Sequence, residues 1–315
     1  MKTLKSERIT YVDHAAEIIA KAAGLTAEGE RFALITSIKI EGGAARDVGS
    51  LALVDARGEM TGYLSNGCID RDIRLRALEA LGNNKKQVVR YGDGSRFMDL
   101  QLPCGGSLTI VIDPIPNAQA IAQAQQCLSN RQSARLSFSS EIDPSRSTEA
   151  AHFEYSPKFR VLLAGRGAIF RSVARAAEAV GLELDLKSPD TDDLEALSTL
   201  NPVSIQHLRT PNDVMSVGCV DQFTAVLTLF HDHDWEPTIL RAALETRAFF
   251  IGSLGSKRTH TQRCETLVAE GVNPKLLHRL KGPIGLVPSL RSAPLIAVSA
   301  LAEITQEMPR QIVQL

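Results

Sequence analysis

The sequence predicts an α/β protein in two parts. A mixed α+β domain covers residues 1–128, a polar linker 129–158, and a doubly wound parallel-sheet domain 159–315. Three observations predict this. The chain has 315 residues, which suits about two domains at roughly 150 residues each. Before residue 128, short apolar runs follow one another as in hairpins. From Phe159 on, strand-like runs alternate with helical segments, a pattern that implies parallel strands with helices on both faces.

The elements follow in order. Asp13 is placed to cap a helix over 15–23, with Ile18, Ile19 and Ala22 on one side. Residues 32–40 alternate like a strand. Residues 51–55 and 60–64 read as a hairpin around Ala56-Arg57-Gly58-Glu59. Ile69, Ile73, Ala77, Leu78 and Leu81 have helical spacing, and Gly82-Asn83-Asn84 ends that helix. Strands over 88–91 and 108–112 complete the first domain, and an Ala- and Gln-rich helix spans 117–128. The linker is polar and Ser-rich, with room for a short strand at 134–138. Strands are then expected at 160–164, 182–186, 203–207, 223–230 and 248–252, with helices at 168–180, 239–246, 259–270 and 294–307.

Composition excludes several classes. Lys plus Arg is 35 and Asp plus Glu is 36, for a net charge of -1, which gives no excess of positive charge for general nucleic-acid binding. Aromatics are 5%, too few for a single-strand stacking surface. No stretch approaches the ~18 apolar residues of a membrane helix. The first ten residues carry Lys2, Lys5, Glu7 and Arg8 without an apolar region behind them, so no signal peptide is expected. The five cysteines are odd in number, widely spaced and lack a CxxC pair, which suits free thiols in a reducing cytoplasm.

Five segments and one arginine carry chemistry. Gly165-Arg166-Gly167 follows a strand and opens a helix, the setting of a phosphate-binding turn in a Rossmann-like domain. Phe170 stands where a third glycine would fall, and Ser188 stands where a ribose-reading acid would close the second strand. The turn therefore either binds a dinucleotide or only packs the fold. His231-Asp232-His233-Asp234 follows the fourth strand of that domain. His231 and His233 point the same way on an extended chain and suit a metal or oxyanion, or an Asp of the run caps the next helix. Gly252-Ser253-Leu254-Gly255-Ser256-Lys257-Arg258 combines glycines, hydroxyls and two cations, suiting an anion or a solvated turn. Ser65-Asn66-Gly67-Cys68 and Cys104-Gly105-Gly106 place two cysteines beside glycines. At a helix N-terminus a thiol is expected to lean toward thiolate, while the alternative is a small packing residue. Arg46, near Gly42-Gly43, is a candidate clamp for phosphate or carboxylate, or an ordinary surface arginine. No hydrolase triad, Walker sequence or zinc-finger spacing is present.

Together these segments resemble the XdhC/CoxI family, accessory factors of molybdenum hydroxylases. The first domain carries Glu41-Gly-Gly-Ala-Ala-Arg-Asp-Val-Gly49, Gly62-Tyr-Leu-Ser-Asn-Gly-Cys-Ile-Asp70 and Leu102-Pro-Cys-Gly-Gly106. The second carries His231-Asp-His-Asp234, Ile251-Gly-Ser-Leu-Gly-Ser-Lys-Arg-Thr-His260, Gly282-Pro-Ile-Gly-Leu286 and Ile296-Ala-Val-Ser-Ala-Leu-Ala-Glu303. The family turn is close to GxGHxG, and Ala168 and Phe170 depart from it, which weakens the case for NAD(P). Val287-Pro288-Ser289-Leu290 departs from a glycine-containing stretch.

The resemblance implies a chaperone without turnover of its own. It would bind the molybdenum cofactor, as molybdopterin or its cytidine dinucleotide form, support its sulfuration and insert it into an apoenzyme of the xanthine dehydrogenase/aldehyde oxidoreductase kind. Implied partners are that apoenzyme, a cysteine desulfurase and a cofactor nucleotidyltransferase. A homodimer stays open, and neither nucleic acid nor membrane is expected. The cofactor is expected in a crevice of the two domains. Cys104 would approach molybdenum and Cys68 assist, with Gly67, Gly105 and Gly106 beside them. His231, Asp232, His233 and Gly255 would line the other side. Arg46, Lys257 and Arg258 would neutralise phosphate, and Gly165 and Gly167 would admit a dinucleotide. The alternative is an NAD(P)-dependent oxidoreductase.

Overall fold

The computed structural model describes residues 9–93, 105–139, 150–211, 220–231 and 233–315. It divides into two compact units, Met1–Pro157 with Arg310–Leu315, and Lys158–Pro309. The first unit runs β1 (Ile9–Thr10), α1 (Ala15–Ala27), β2 (Phe32–Glu41), β3 (Leu51–Asp55), β4 (Met60–Gly62), α2 (Asp70–Asn83), β5 (Gln87–Gly92), β6 (Ser107–Asp113), α3 (Ala118–Ser129), β7 (Ala134–Phe138) and β8 (Ala151–Tyr155). The second runs β9 (Arg160–Gly165), α4 (Gly167–Ala179), β10 (Glu183–Ser188), α5 (Thr191–Ser198), β11 (Ser204–His207), β12 (Thr224–Leu229), α6 (Glu236–Leu244), β13 (Phe250–Ser253), α7 (Lys257–Ala269), β14 (Leu280–Lys281) and α8 (Ala293–Glu307). The last strand, β15 (Ile312–Gln314), belongs to the first unit.

The first unit's main sheet has the order β1-β4-β3-β2-β6-β5. All its pairings are antiparallel except β1 with β4. The alternation of β2 sends its side chains to two cores. Ala33 and Ile35 pack with Ile73, Ala77 and Leu81 of α2. Phe32 and Leu34 pack with Ile18 of α1, Ile121 of α3, and Phe153 and Tyr155 of β8. A second sheet, β15-β8-β7, closes that second core. Two of its strands therefore come from the polar stretch expected to be a linker, because the apolar positions Leu136, Phe153 and Tyr155 are buried.

Local chemistry also shifts some boundaries. His14, not Asp13, caps α1, its Nδ1 accepting from the Ala16 N–H at 3.2 Å. Asn84 ends α2 in the left-handed conformation, and Asn117 caps α3 by accepting from the Ala120 N–H at 3.0 Å.

The second unit's sheet is wholly parallel, in the order β11-β10-β9-β12-β13-β14. The order reverses between β9 and β12, and such a reversal opens a crevice at the carboxyl ends of the strands. Val161 and Leu163 face α4, α5 and α8. Leu162 and Ala164 face α6 and α7. Phe170 is fully buried on the first of these faces, filling the space a glycine would leave between helix and sheet. Helix α5, absent from the sequence expectations, starts at Asp190, which caps it by accepting from the N–H groups of Asp192 and Asp193.

The end of β2 is tied to its neighbours by Glu41. It pairs with Lys39 at 2.7 Å and with Arg90 of β5 at 2.6 Å, and accepts from the Ser107 hydroxyl of β6 at 3.0 Å. These partners, Lys39 foremost, hold its carboxyl down at about 2. An unfolded Glu titrates near ~4.3. The stabilisation is present above that value and is lost as pH falls toward about 2. In urea titrations at stepped pH, Glu41→Gln is expected to give a shallower loss of stability between about pH 5 and pH 2 than the wild type. Identical acid limbs would contradict this role for Glu41.

Candidate functional site

The predicted residues of the first unit lie on a connected set of loops. The Ser65-Asn66-Gly67-Cys68 loop closes around the carboxylate of Asp70, which is fully buried at the start of α2. One oxygen accepts from the N–H groups of Leu64 at 2.8 Å and Ser65 at 3.2 Å. The other accepts from the Gly67 N–H at 2.7 Å and the Ser65 hydroxyl at 3.0 Å. The Ser65 oxygen in turn accepts from the Ile69 N–H at 2.9 Å. Converging these donors needs left-handed backbone at Asn66 and Gly67, with φ of 56° and 103°. Glycine adopts that conformation without steric cost, and Asn tolerates it. The outcome is an exposed Cys68 thiol on a loop fixed from within.

A tyrosine pair leads from this loop to Arg46. The Tyr11 hydroxyl lies 3.8 Å from where a Gly67 Cβ would be, and the Tyr11 and Tyr63 rings are 5.4 Å apart. The Arg46 guanidinium stacks on the Tyr63 ring, 4.6 Å from its centre. It also donates to the Asp13 carbonyl at 2.5 Å and forms an ion pair with the Asp13 carboxylate. Tyr63 donates to the same carboxylate at 3.0 Å. Arg46 is thus a half-buried brace with internal partners, and its Nε lacks one. Burial lowers its pKa from the ordinary arginine value. Asp13, expected as a helix cap, is instead the anion that holds this brace.

Gly105 and Gly106 meet the loop after β2. A Cβ on Gly106 would lie 2.3 Å from the Gly43 carbonyl oxygen, so this glycine lets two backbones touch. Cys104 lies outside the described residues. The adjoining residues 44–48, with Arg310, Gln311, Ile312 and Gln314, line a cavity of about 720 Å³. Sequence reasoning missed its C-terminal wall, since no local signal links residue 310 to residue 46.

In the second unit the predicted residues gather at the carboxyl edge of the sheet, and much of their hydrogen bonding is internal. Gly165 packs against Leu229 of β12. Gly167 is left-handed at φ 79°. Its N–H donates at 2.5 Å to Asp193, whose carboxylate also pairs with Arg171. An internal carboxylate therefore stands at the glycine turn where a phosphate was expected. His231 is exposed after β12. Residues His233–Trp235 form a single 3-10 turn, and the N-cap residue of α6 is Trp235, which makes no side-chain cap hydrogen bond. Asp232 lies outside the described residues. No cluster of three metal-ligating side chains occurs among the described residues.

The Gly252 to Arg258 loop is organised by residues the sequence reasoning did not single out. Glu236, buried at the start of α6, takes a bidentate pair from Arg263 of α7 at 2.9 and 3.2 Å. It also accepts from the Thr228 hydroxyl at 3.1 Å. Arg263 donates further to the Leu254 carbonyl at 2.7 Å. Ser256 caps α7, accepting from the Thr259 N–H at 3.1 Å. Gly255, Lys257 and Arg258 are left exposed beside it. The signal in the sequence is the run Gly255-Ser-Lys-Arg-Thr-His-Thr-Gln-Arg263, where an arginine follows the loop within the next helix.

Comparison with known proteins fits this two-unit organisation. The model of the XdhC and CoxI family matches residues 25–92, and that of the XdhC Rossmann domain matches residues 161–304. The chain is 29% identical to the molybdenum cofactor insertion chaperone PaoD of Escherichia coli, over 95% of this chain and 91% of that one. It is 24% identical to a probable xanthine dehydrogenase subunit of Bacillus subtilis, over 91% and 96% of the two chains. A crystal structure described as a xanthine dehydrogenase from Bacillus halodurans superposes with a TM-score of 0.75 at 20% identity, covering 93% of this chain and 95% of that one. That likeness shows the shared fold.

Two substitutions test these internal ties. Asp70→Ala strands several buried donors, and the expected loss is about 3 kcal/mol or more. Hydrogen exchange at Leu64, Ser65 and Gly67 should rise with it, whereas unchanged protection would mean that the loop is held by something else. Arg263→Met leaves Glu236 buried without its cation, at a cost of about 3–5 kcal/mol in chemical unfolding. Adding Glu236→Leu should recover much of that loss.

Proposed function

Because the chain belongs to the XdhC and CoxI family, we propose that it carries the molybdenum cofactor to a molybdoenzyme. It would support addition of the terminal sulfido ligand and insert the cofactor into an apoenzyme of the xanthine dehydrogenase/aldehyde oxidoreductase kind. A cysteine desulfurase is the sulfur source in this scheme, and the protein itself turns nothing over. The carrying observation is the match to a molybdenum cofactor insertion chaperone along 95% of this chain.

The chemistry of the cargo gives the residues their roles. A molybdenum centre with a labile sulfur needs a soft, accessible partner. Cys68 supplies an exposed thiol whose loop does not have to reorganise, because Asp70 already fixes it. Cys104, one residue before Gly105, is proposed to act at the same centre. Arg46 positions the loop before β3 and is not itself the phosphate clamp, since its fork is engaged by Asp13 and Tyr63. On the second unit, His231, His233, Lys257 and Arg258 are proposed as polar contacts for cargo or client. No helix among the described residues is long and apolar enough to cross a membrane.

The oxidoreductase alternative needs a pyrophosphate at the Gly165-Arg166-Gly167 turn. The Asp193 carboxylate, itself paired with Arg171, takes the Gly167 N–H. A donor already committed inside the fold opposes a phosphate at that position.

The test is purification from cells with an intact cofactor pathway, followed by assay of bound molybdenum and pterin. Wild type is expected to retain both, and Cys68→Ser to retain at least tenfold less while its melting temperature is unchanged. Absence of pterin and molybdenum from the wild type, together with tight NADH binding, would overturn the carrier role.

A further inference from the structure

Among the described residues, the first unit contains a large space that its internal bonding leaves open. It is the cavity of about 720 Å³ between the loop before β3 and the C-terminal strand. Its size falls within the few-hundred to 1,000 Å³ range of small-molecule sites. Its walls are firm. The Ser37 hydroxyl donates to the Asp47 carbonyl at 2.9 Å, the Tyr155 hydroxyl donates to the Gly49 carbonyl at 2.9 Å, and Gly49 packs on Ile312 and Phe153.

Three features of the lining make no internal hydrogen bond or close ion pair among the described residues. None of the peptide N–H groups of residues 44–48 finds an acceptor among the described residues. Arg310 is exposed and has no ion pair among the described residues. The Asp47 carboxylate makes no hydrogen bond or close ion pair among the described residues, and its charge acts on Arg46, which is itself paired with Asp13. Free amides and a free guanidinium suit a phosphate. A carboxylate whose oxygens accept no internal hydrogen bond suits a ring edge that donates N–H groups.

We propose that this cavity holds an amino-oxo-pyrimidine ring bearing a phosphate, with Arg310 and the 44–48 amides on the phosphate and Asp47 on the ring's amino edge. This deepens, and rests on, the carrier role proposed above. Both ends of such a cargo share that chemistry: the pterin is an amino-oxo-pyrimidine with a phosphate, and so is a cytidine nucleotide. Ala44 and Ala45 leave the room that larger side chains would fill.

The experiment uses the full chain as wild type, Arg310→Glu and Ala45→Glu, both changes being at exposed positions. Pterin retained per chain is measured after purification from cofactor-producing cells, and cytidine monophosphate binding is measured by calorimetry. Both variants are expected to lose at least tenfold of retained pterin with melting unchanged. If cytidine monophosphate binds wild type and the variants lose it, the cytidine end occupies the cavity. If it binds none of the three while the variants lose pterin, the pterin end does. Variants that retain pterin like a loaded wild type would overturn the cavity assignment and leave the carrier role intact. A wild type without pterin that still binds cytidine monophosphate through Arg310 would do the reverse. Neither pterin nor cytidine monophosphate on the wild type would overturn both.

Discussion

A carboxylate removed from water must be met by donors, and Asp70 is met by loop backbone. The cost of burying an unpaired charge is several kcal/mol. The Asp70 side chain is fully buried, so the chain between β4 and α2 has to bend until three peptide N–H groups and a hydroxyl converge on it. Asn66 and Gly67 are the residues that permit the bend. Cys68 faces outward as a consequence. The exposed thiol of the loop is thus placed by a side chain that is fully buried.

The same device recurs in the second unit, where it closes sites instead of presenting them. Asp193 ties off the glycine turn at the head of α4. Glu236 ties β12 to α7 through Thr228 and Arg263. At the head of α4, an amide that a motif reading assigns to an anion is therefore taken by the protein's own carboxylate. The cavity of the first unit has the opposite character, because Asp13 and Arg46 pair with each other while Asp47 and Arg310 make no close ion pair among the described residues.

Periodicity made most of the fold legible. The alternation in β2 and the apolar run of β9 place both sheets, since each side chain's face follows from a period of two. Strands β8 and β15 were not legible. Their pairing joins residue 312 to residue 155, and neither segment has an apolar run long enough to stand out. The caps show the same limit. Asp13 and His14 are adjacent, both can cap a helix, and only the distant Arg46 decides that Asp13 is taken elsewhere. Candidate site residues were legible as types, while their partners were not, since Gly167 and Asp193 are separated by a strand and most of a helix.

The glycines of the motifs carry the last consequence. Gly106 is fixed by crowding, since any Cβ would strike the Gly43 carbonyl. Gly167 has open space around its missing Cβ and is needed only for its positive φ. A motif glycine of the first kind reports how two backbones meet and says nothing of a ligand. One of the second kind shapes a turn that is able to offer an amide to an anion, and the ligand role then depends on whether the chain supplies its own. Asp193 does so for Gly167, and Asp70 does so for Gly67. Residues 44–48 have no such acid on their amides among the described residues. Binding capacity is therefore read from the donors left over after internal carboxylates are satisfied, and in this chain that criterion moves attention from the glycine turn of the parallel sheet to the loop before β3.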